Sequence, residues 1–280
     1  MKQKITILVN SCDKYEDAWF PFFECLWHFA GDLPYPIILN TETKQFVSPH
    51  YNVKVVNNPN KVSWSVRLLT VLDQINTEYV LFLLDDYFLQ EPFDSDRLSN
   101  VISYMDKNAK VGFVDIKPRW ASSKEEYEEN KTKYSHAQDE FVVRQNKQFN
   151  ITCAPGVWRT SVLKSLLRPH EDIWSFEKYV GIRARAHNVV VVRFLTRFPA
   201  IYEYEDQIWG TKGITAGKWL PGNLPFFDQL GIEINYEKLG IINAETIQEI
   251  AKKNRRSVSY LWKHGKRRLS EWINRYKSLK

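Results

Sequence analysis

Two adjacent carboxylates, Asp85 and Asp86, close a run of buried-strand character, Glu78-Tyr-Val-Leu-Phe-Leu-Leu-Asp-Asp-Tyr-Phe-Leu89. Residues 80–84 are continuously apolar with no period-two alternation, the habit of a strand covered on both faces in a parallel sheet. In open α/β sheets ligands bind beyond the carboxyl ends of the strands, and the two acids fall there. Side by side, ionised carboxylates repel and resist desolvation. They call for a cation, either Arg or Lys or a hard divalent ion such as Mg²⁺ or Mn²⁺. The bland alternative is a helix N-cap, since Asp after a strand often starts the next helix.

The elements that must position this pair alternate between strands and helices. Lys4–Asn10 reads as a first strand, followed by a loop 11–17 and an amphipathic, aromatic helix over 18–30. Strands follow at 36–42 and 52–56, then apolar residues at helical spacing over 63–75 (Val66, Leu69, Leu72, Ile75), then the strand that ends at Asp85. Further on, 94–106 reads as a helix, 111–116 as a short strand, 160–167 as a helix capped by Thr160 or Ser161, and 189–194 as a strand. The spacing is that of βαβ units, so the expected fold class is α/β: a mostly parallel central sheet, right-handed crossovers and flanking helices. Residues 121–140 are polar, a solvated helix or a flap, and Ala244–Lys280 is expected to be helical.

Several functional classes lose support. No Gly-x-Gly-x-x-Gly or Walker loop follows a strand, which removes the usual dinucleotide and P-loop sites. The three cysteines, Cys12, Cys25 and Cys153, show neither metal-ligand spacing nor a paired framework, and point to a reducing compartment. The first apolar run is too short for a signal segment, and no stretch reaches the roughly 20 apolar residues of a membrane span. Charge is uneven: residues 251–280 hold eleven Lys or Arg against the single acid Glu271, a net +10, so the other 250 residues carry −4.

Taken in order, Ile7-Leu-Val-Asn-Ser-Cys-Asp-Lys-Tyr15, Asn40-Thr-Glu42, Trp64-Ser-Val-Arg67 and Asp85-Asp-Tyr87 make the chain resemble the GT-A glycosyltransferases, in particular the bacterial enzymes of capsule, O-antigen and cell-wall polysaccharide synthesis. The resemblance covers residues 1 to about 220. It implies a GT-A catalytic domain over 1–222, with a nucleotide-sugar-binding half (1–115) and an acceptor-binding half (116–222), and a C-terminal helical tail over 223–280. It further implies a Mn²⁺ or Mg²⁺ cofactor on Asp86 first and Asp85 second. The motif departs from the family's Asp-x-Asp pattern in having Tyr87 at the third position.

Leaving diphosphate develops negative charge that a divalent ion or a Lys/Arg clamp must stabilise. Ser11, Asp13, Tyr15, Glu42, Arg67 and Asp85 are the expected donor contacts, with Lys212 and Lys218 in a Gly-rich loop closing over the diphosphate. Tyr15 has the alternative of covering the sheet edge, and Arg67 that of pairing with Asp73 or Asp85. An inverting transfer needs a carboxylate to take the acceptor's proton. By the resemblance, that acid is expected in Arg168-Pro-His-Glu-Asp-Ile-Trp-Ser-Phe-Glu177: Asp172 first, then Glu177 and Glu171. These acids have an alternative too, capping the next helix and pairing with Arg183 or Arg185. Trp158, Arg159 and Trp174 are the expected acceptor contacts, the tryptophans suiting sugar faces.

In 251–280, Val258, Leu261, Trp262, Leu269, Trp272, Ile273 and Tyr276 recur at helical spacing with cations around them. A basic amphipathic helix fits an anionic membrane surface, hence an expected site of action at the cytoplasmic face beside a glycan or lipid-linked acceptor. Packing on the body or on a second subunit of a homo-oligomer is the alternative. Nucleic acid is not an expected partner, because no recognition signature accompanies the charge. A second reading of the whole is a non-catalytic nucleotide- or glycan-binding α/β protein whose tail is a docking element.

Overall fold

A computed structural model describes residues 3–58, 61–116, 141–144 (backbone only), 151–194, 200–204, 213–215, 217–243 and 246. The chain divides into two units, Met1–Lys212 and Gly213–Lys280.

The first unit is built on an eight-stranded sheet: β1 (Ile5–Asn10), β2 (Ile37–Thr41), β3 (Val53–Asn57), β4 (Tyr79–Leu84), β5 (Val111–Asp115), β6 (Phe141–Arg144), β7 (Gly156–Arg159) and β8 (Val190–Phe194). Their spatial order is β3-β2-β1-β4-β7-β5-β8-β6. Six strands run one way, while β7 runs antiparallel to β4 and β5, and β6 antiparallel to β8. The sheet is therefore mostly parallel. Every residue of β1, β2, β4 and β5 is buried, the polar Thr6, Asn10, Asn40, Thr41 and Asp115 included, as expected of strands with helices on both faces.

Those helices are α1 (Glu16–Ala30), α2 (Trp64–Leu72), α3 (Ser95–Lys107), α4 (Thr160–Leu166) and α5 (Ile173–Ala186). Side chains fix the starts of α2, α3 and α5. Ser63 caps α2 by accepting from Val66 N at 3.1 Å, and Asp94 caps α3 by accepting from Arg97 N at 2.9 Å. For α4 the expected cap differs from the observed one: the position is occupied by Arg159, and the Thr160 hydroxyl instead donates to Thr77 O at 2.9 Å. Because β7 turns into α4 with no loop between, Thr160 is already inside the helix.

One topological feature positions the site. The chain steps outward from β1 to β2 to β3, then returns past β1 to β4, so the winding reverses between β1 and β4. Right-handed crossovers place α1 and α2 on opposite faces, and the reversal leaves a crevice at the carboxyl ends of β1 and β4. Ser11 and Asp85 follow those two strand ends directly.

The second unit is small. β9 (Ile214–Thr215) and β10 (Lys218–Trp219) pair antiparallel about Gly217, whose φ of 76° is the left-handed conformation that glycine tolerates. Trp219 is fully buried against Phe227, on α6 (Leu224–Leu230), and Tyr236, with ring centroids 5.9 and 6.3 Å away. Residues 251–280 and 121–140 lie outside the described residues, as does Lys212. No helix among the described residues is long and apolar enough to cross a membrane.

Candidate functional site

The crevice is assembled from three strand ends and one helix. Parallel pairing sets Asn10 beside Asn40, and Asn40 Nδ2 donates to Asn10 Oδ1 at 2.7 Å, tying β1 to β2 at their carboxyl edge. Immediately beyond, Asp13 and Glu42 clamp each other. Glu42 accepts from Asp13 N at 2.7 Å, and Asp13 accepts from Glu42 N at 3.2 Å. Asp13 also receives Thr41 Oγ1 at 2.7 Å, Thr43 N and Oγ1, and Lys44 N at 3.2 Å. Burial alone would raise its pKa, but the hydrogen bonds from Thr43, Thr41 and Lys44 outweigh it and hold the carboxyl well below the usual carboxylate range. This full complement of protein donors makes Asp13 the organiser of the two loops that flank the crevice.

Arg67 reaches into the same place from α2. Its Nη1 donates to Ser11 O at 3.2 Å and lies 3.3 Å from Glu42 Oε1. Of the alternative partners named from sequence, Asp73 pairs with Lys164, and Asp85 accepts from the Ser11 hydroxyl. The carboxylate pair is buried, with Asp85 3% and Asp86 5% exposed, and a tight turn from Leu84 O to Tyr87 N carries the chain away. The local field is negative: Cys12 has its thiol pushed up to about 11, first by burial and then by the charges of Asp85 and Glu42. Tyr15, half-buried, ends the short 3₁₀ turn Asp13–Tyr15 with Lys14 over its ring.

The three acids of the second half also come to the carboxyl edge, because α5 runs back toward the amino ends of the strands and so begins at that edge. Each has a partner. Glu171 is fully buried and bidentate to Arg183 at 2.7 Å twice. Its carbonyl accepts from Ser65 N, which seats the start of α5 on the start of α2. Asp172 is the N-cap of α5, accepting from Ser175 N at 2.7 Å, and those bonds from Ser175 hold its carboxyl low. Glu177 accepts from Cys153 N at 2.7 Å. Trp174, in the first turn of α5, is 69% exposed.

Trp158 and Arg159 lie elsewhere than an acceptor surface requires. The Trp158 ring is 2% exposed, packed 4.4 Å from Phe113 and 6.4 Å from Phe176. Because β7 is antiparallel to β4, Arg159 stands opposite Tyr79 at the amino edge, about 20 Å from Asp85 at the rise of an extended strand. There it pairs with Glu78 at 2.6 Å and donates to Met105 O at 2.8 Å. The sequence shows an apolar-aromatic run here but not its direction. Lys218 is exposed and belongs to the second unit.

One acid at the carboxyl edge was missed. Asp115 closes β5 as Asp85 closes β4, is 3% exposed and lies 3.4 Å from Arg193, its cross-strand neighbour on β8. The signal was present in Val111-Gly-Phe-Val-Asp115: an apolar run ending in a carboxylate.

The donor set bears on the expected cation. Among the described residues no group of three or more His, Cys, Asp or Glu side chains is arranged to hold a metal ion. Two adjacent buried carboxylates fit a site in which one or two acids hold a divalent ion and the substrate's phosphates and water supply the rest, the habit of Mg²⁺.

No family model matches the chain. No curated protein matches it either. Among solved structures it is similar to TarS 1–349 of S. aureus, at 13% identity and a TM-score of 0.45, over 70% of this chain and 59% of that one. TarS 1–349 in complex with UDP-GlcNAc aligns at 13% identity and a TM-score of 0.44, over 75% and 60%. A cytidylyltransferase from Leptospira borgpetersenii aligns at 12% and 0.46, over 90% and 95%. The chain thus spans about three fifths of the TarS chain. At these identities and TM-scores the likenesses give the chain neither a family nor a reaction.

Proposed function

We propose that the chain is a glycosyltransferase that moves a sugar from a nucleotide-diphosphate donor to a glycan or lipid-linked acceptor in bacterial surface polysaccharide synthesis, with inversion at the anomeric carbon. The observation that carries this reading is the buried Asp85–Asp86 pair at the point where the winding of the sheet reverses, where ligands of open α/β sheets bind. Asp86 and Asp85 would hold Mn²⁺ or Mg²⁺, which when bound neutralises charge on the departing diphosphate. Arg67 and Glu42 shape the nucleotide side of the crevice, and the Asp13 network holds its loops.

On the acceptor side, Asp172 takes the proton from the attacking hydroxyl as its oxygen bonds to the anomeric carbon and the bond to the diphosphate breaks. The bonds it accepts from Ser175 lower its pKa, which keeps it charged but makes it a weaker base. The exposed Trp174 ring, two residues on, offers an apolar face to a sugar. The basic segment 251–280 would hold the enzyme at an anionic cytoplasmic membrane face.

One observation favours the second reading, a non-catalytic nucleotide- or glycan-binding protein: Glu171, Asp172 and Glu177 each already serve a structural partner. The two readings part on turnover. A thermal-shift screen over nucleotide diphosphates and sugar nucleotides with Mn²⁺, followed by assay of the best binder for sugar release, should yield both stabilisation and turnover. Stabilisation without turnover, with water or any glycan acceptor, would select the binding protein.

A further inference from the structure

We propose that Trp19 and Ser11 form a positioning relay for Asp85, an inference that rests on the reading of the Asp85–Asp86 pair as the cation site. Trp19 Nε1 lies 2.6 Å from Ser11 Oγ, and Ser11 Oγ lies in hydrogen-bonding contact with Asp85 Oδ2. An indole N–H can only donate, so the serine oxygen is the acceptor in the first bond. The serine proton then turns to its own acceptors. These are the Asp85 carboxylate and, at a longer 3.3 Å, Cys12 O. The bond to a carboxylate is charge-assisted and the stronger of the two. The relay is therefore directional, from indole to hydroxyl to carboxylate.

All three side chains are buried, with Trp19 2%, Ser11 5% and Asp85 3% exposed, so water does not compete for these bonds. They come from α1, the end of β1 and the end of β4, and the Ser11 carbonyl adds α2 by accepting from Arg67. Ser11 thus joins four elements at the reversal of the sheet. Its role is to fix the rotamer of Asp85, and the expectation from sequence that its hydroxyl contacts the nucleotide gives way to this one. Outer-shell bonds of this kind to ligating carboxylates typically govern metal affinity by 10- to 100-fold.

The test is Mn²⁺ binding in the presence of UDP, followed by the paramagnetic resonance signal of free Mn²⁺, on the full chain. Ser11→Ala, which removes one buried oxygen, and Trp19→Phe, which keeps most of the ring but not the N–H, should each weaken binding about 10-fold. Ser11→Thr keeps a hydroxyl and should bind as the wild type does. A thermal unfolding curve for each variant separates lost positioning from lost folding, and Ser11→Ala carries the test if Trp19→Phe unfolds. Wild-type affinity in both Ser11→Ala and Trp19→Phe, with Mn²⁺ binding lost in Asp86→Ala, overturns the relay and leaves the cation site standing. Wild-type affinity in Asp85→Ala and Asp86→Ala as well overturns the cation site itself.

Discussion

Arg183 and Glu171 meet through two parallel bonds of 2.7 Å, and both side chains are buried. The pair ties the last turn of α5 to the residue just before its cap, and through Glu171 O to Ser65 N it fixes α5 against α2. Arg168 stands close by, its pKa lowered by burial and then by the charge of Arg183. Removing the acid would leave a buried guanidinium without its partner. Glu171→Ala is expected to cost about 3–5 kcal/mol, read from the urea midpoint. A loss under about 1 kcal/mol would show that water or another acid replaces Glu171.

Asp172 caps α5 and is proposed to act as the base, two roles that one substitution can separate. Asn caps a helix about as well as Asp, whereas Ala costs about 1 kcal/mol. Asp172→Asn should therefore keep the unfolding midpoint while sugar transfer falls at least about 100-fold, the usual scale for loss of a general base. Retained transfer in Asp172→Asn would assign Asp172 to capping alone. Its depressed pKa has a signed consequence as well. The stabilisation it brings is complete above the ordinary value of 3.8 and is lost as pH falls through the lower folded value, so the Asp172→Ala deficit should shrink in acid.

Glu203 is shifted the other way, raised by burial despite the bond it accepts from Ala200 N at 2.8 Å. Below the ordinary value of 4.5 its carboxyl is protonated folded and unfolded, and it is neutral in its effect. As pH rises above 4.5 the unfolded chain ionises first, so the cost to folding grows until the folded carboxyl ionises too, and it stays at its full value above that. Glu203→Gln keeps an acceptor for Ala200 N and should raise Tm at pH 7.5 while leaving it unchanged near pH 4. A lower Tm at pH 7.5 would show that the ionised carboxylate is stabilised.

How much of this was legible in the sequence depended on whether a signal was local. The unbroken apolar run Val80–Leu84 announced a buried parallel strand, the mostly apolar Ile5–Val9 a first strand, and the acids at the end of β4 followed from the same pattern. Helix starts were legible where a cap side chain was, as at Asp172, and illegible at α4, where strand passes straight into helix. Strand β7 was hidden because Gly156–Arg159 is four residues long and its reversed direction is set by partners β4 and β5. That direction is what sends Arg159 to the far edge and Trp158 into the core. The engagement of Glu171 with Arg183 was foreseen as an alternative, but only packing shows it to be bidentate and buried. Asp115 was overlooked because its run is short and interrupted by Gly112.

The central claim is that Asp86, beside Asp85 at the reversal of the sheet, makes nucleotide-diphosphate binding depend on a divalent ion. Isothermal titration of UDP into wild type and Asp86→Ala, each with Mn²⁺ and with chelator, measures this directly. The prediction is that Mn²⁺ tightens binding in the wild type by 10-fold or more, about 1.4 kcal/mol, and has no effect in Asp86→Ala, while both proteins unfold at nearly the same temperature. Equal Mn²⁺-dependent affinity in the two proteins would contradict the account.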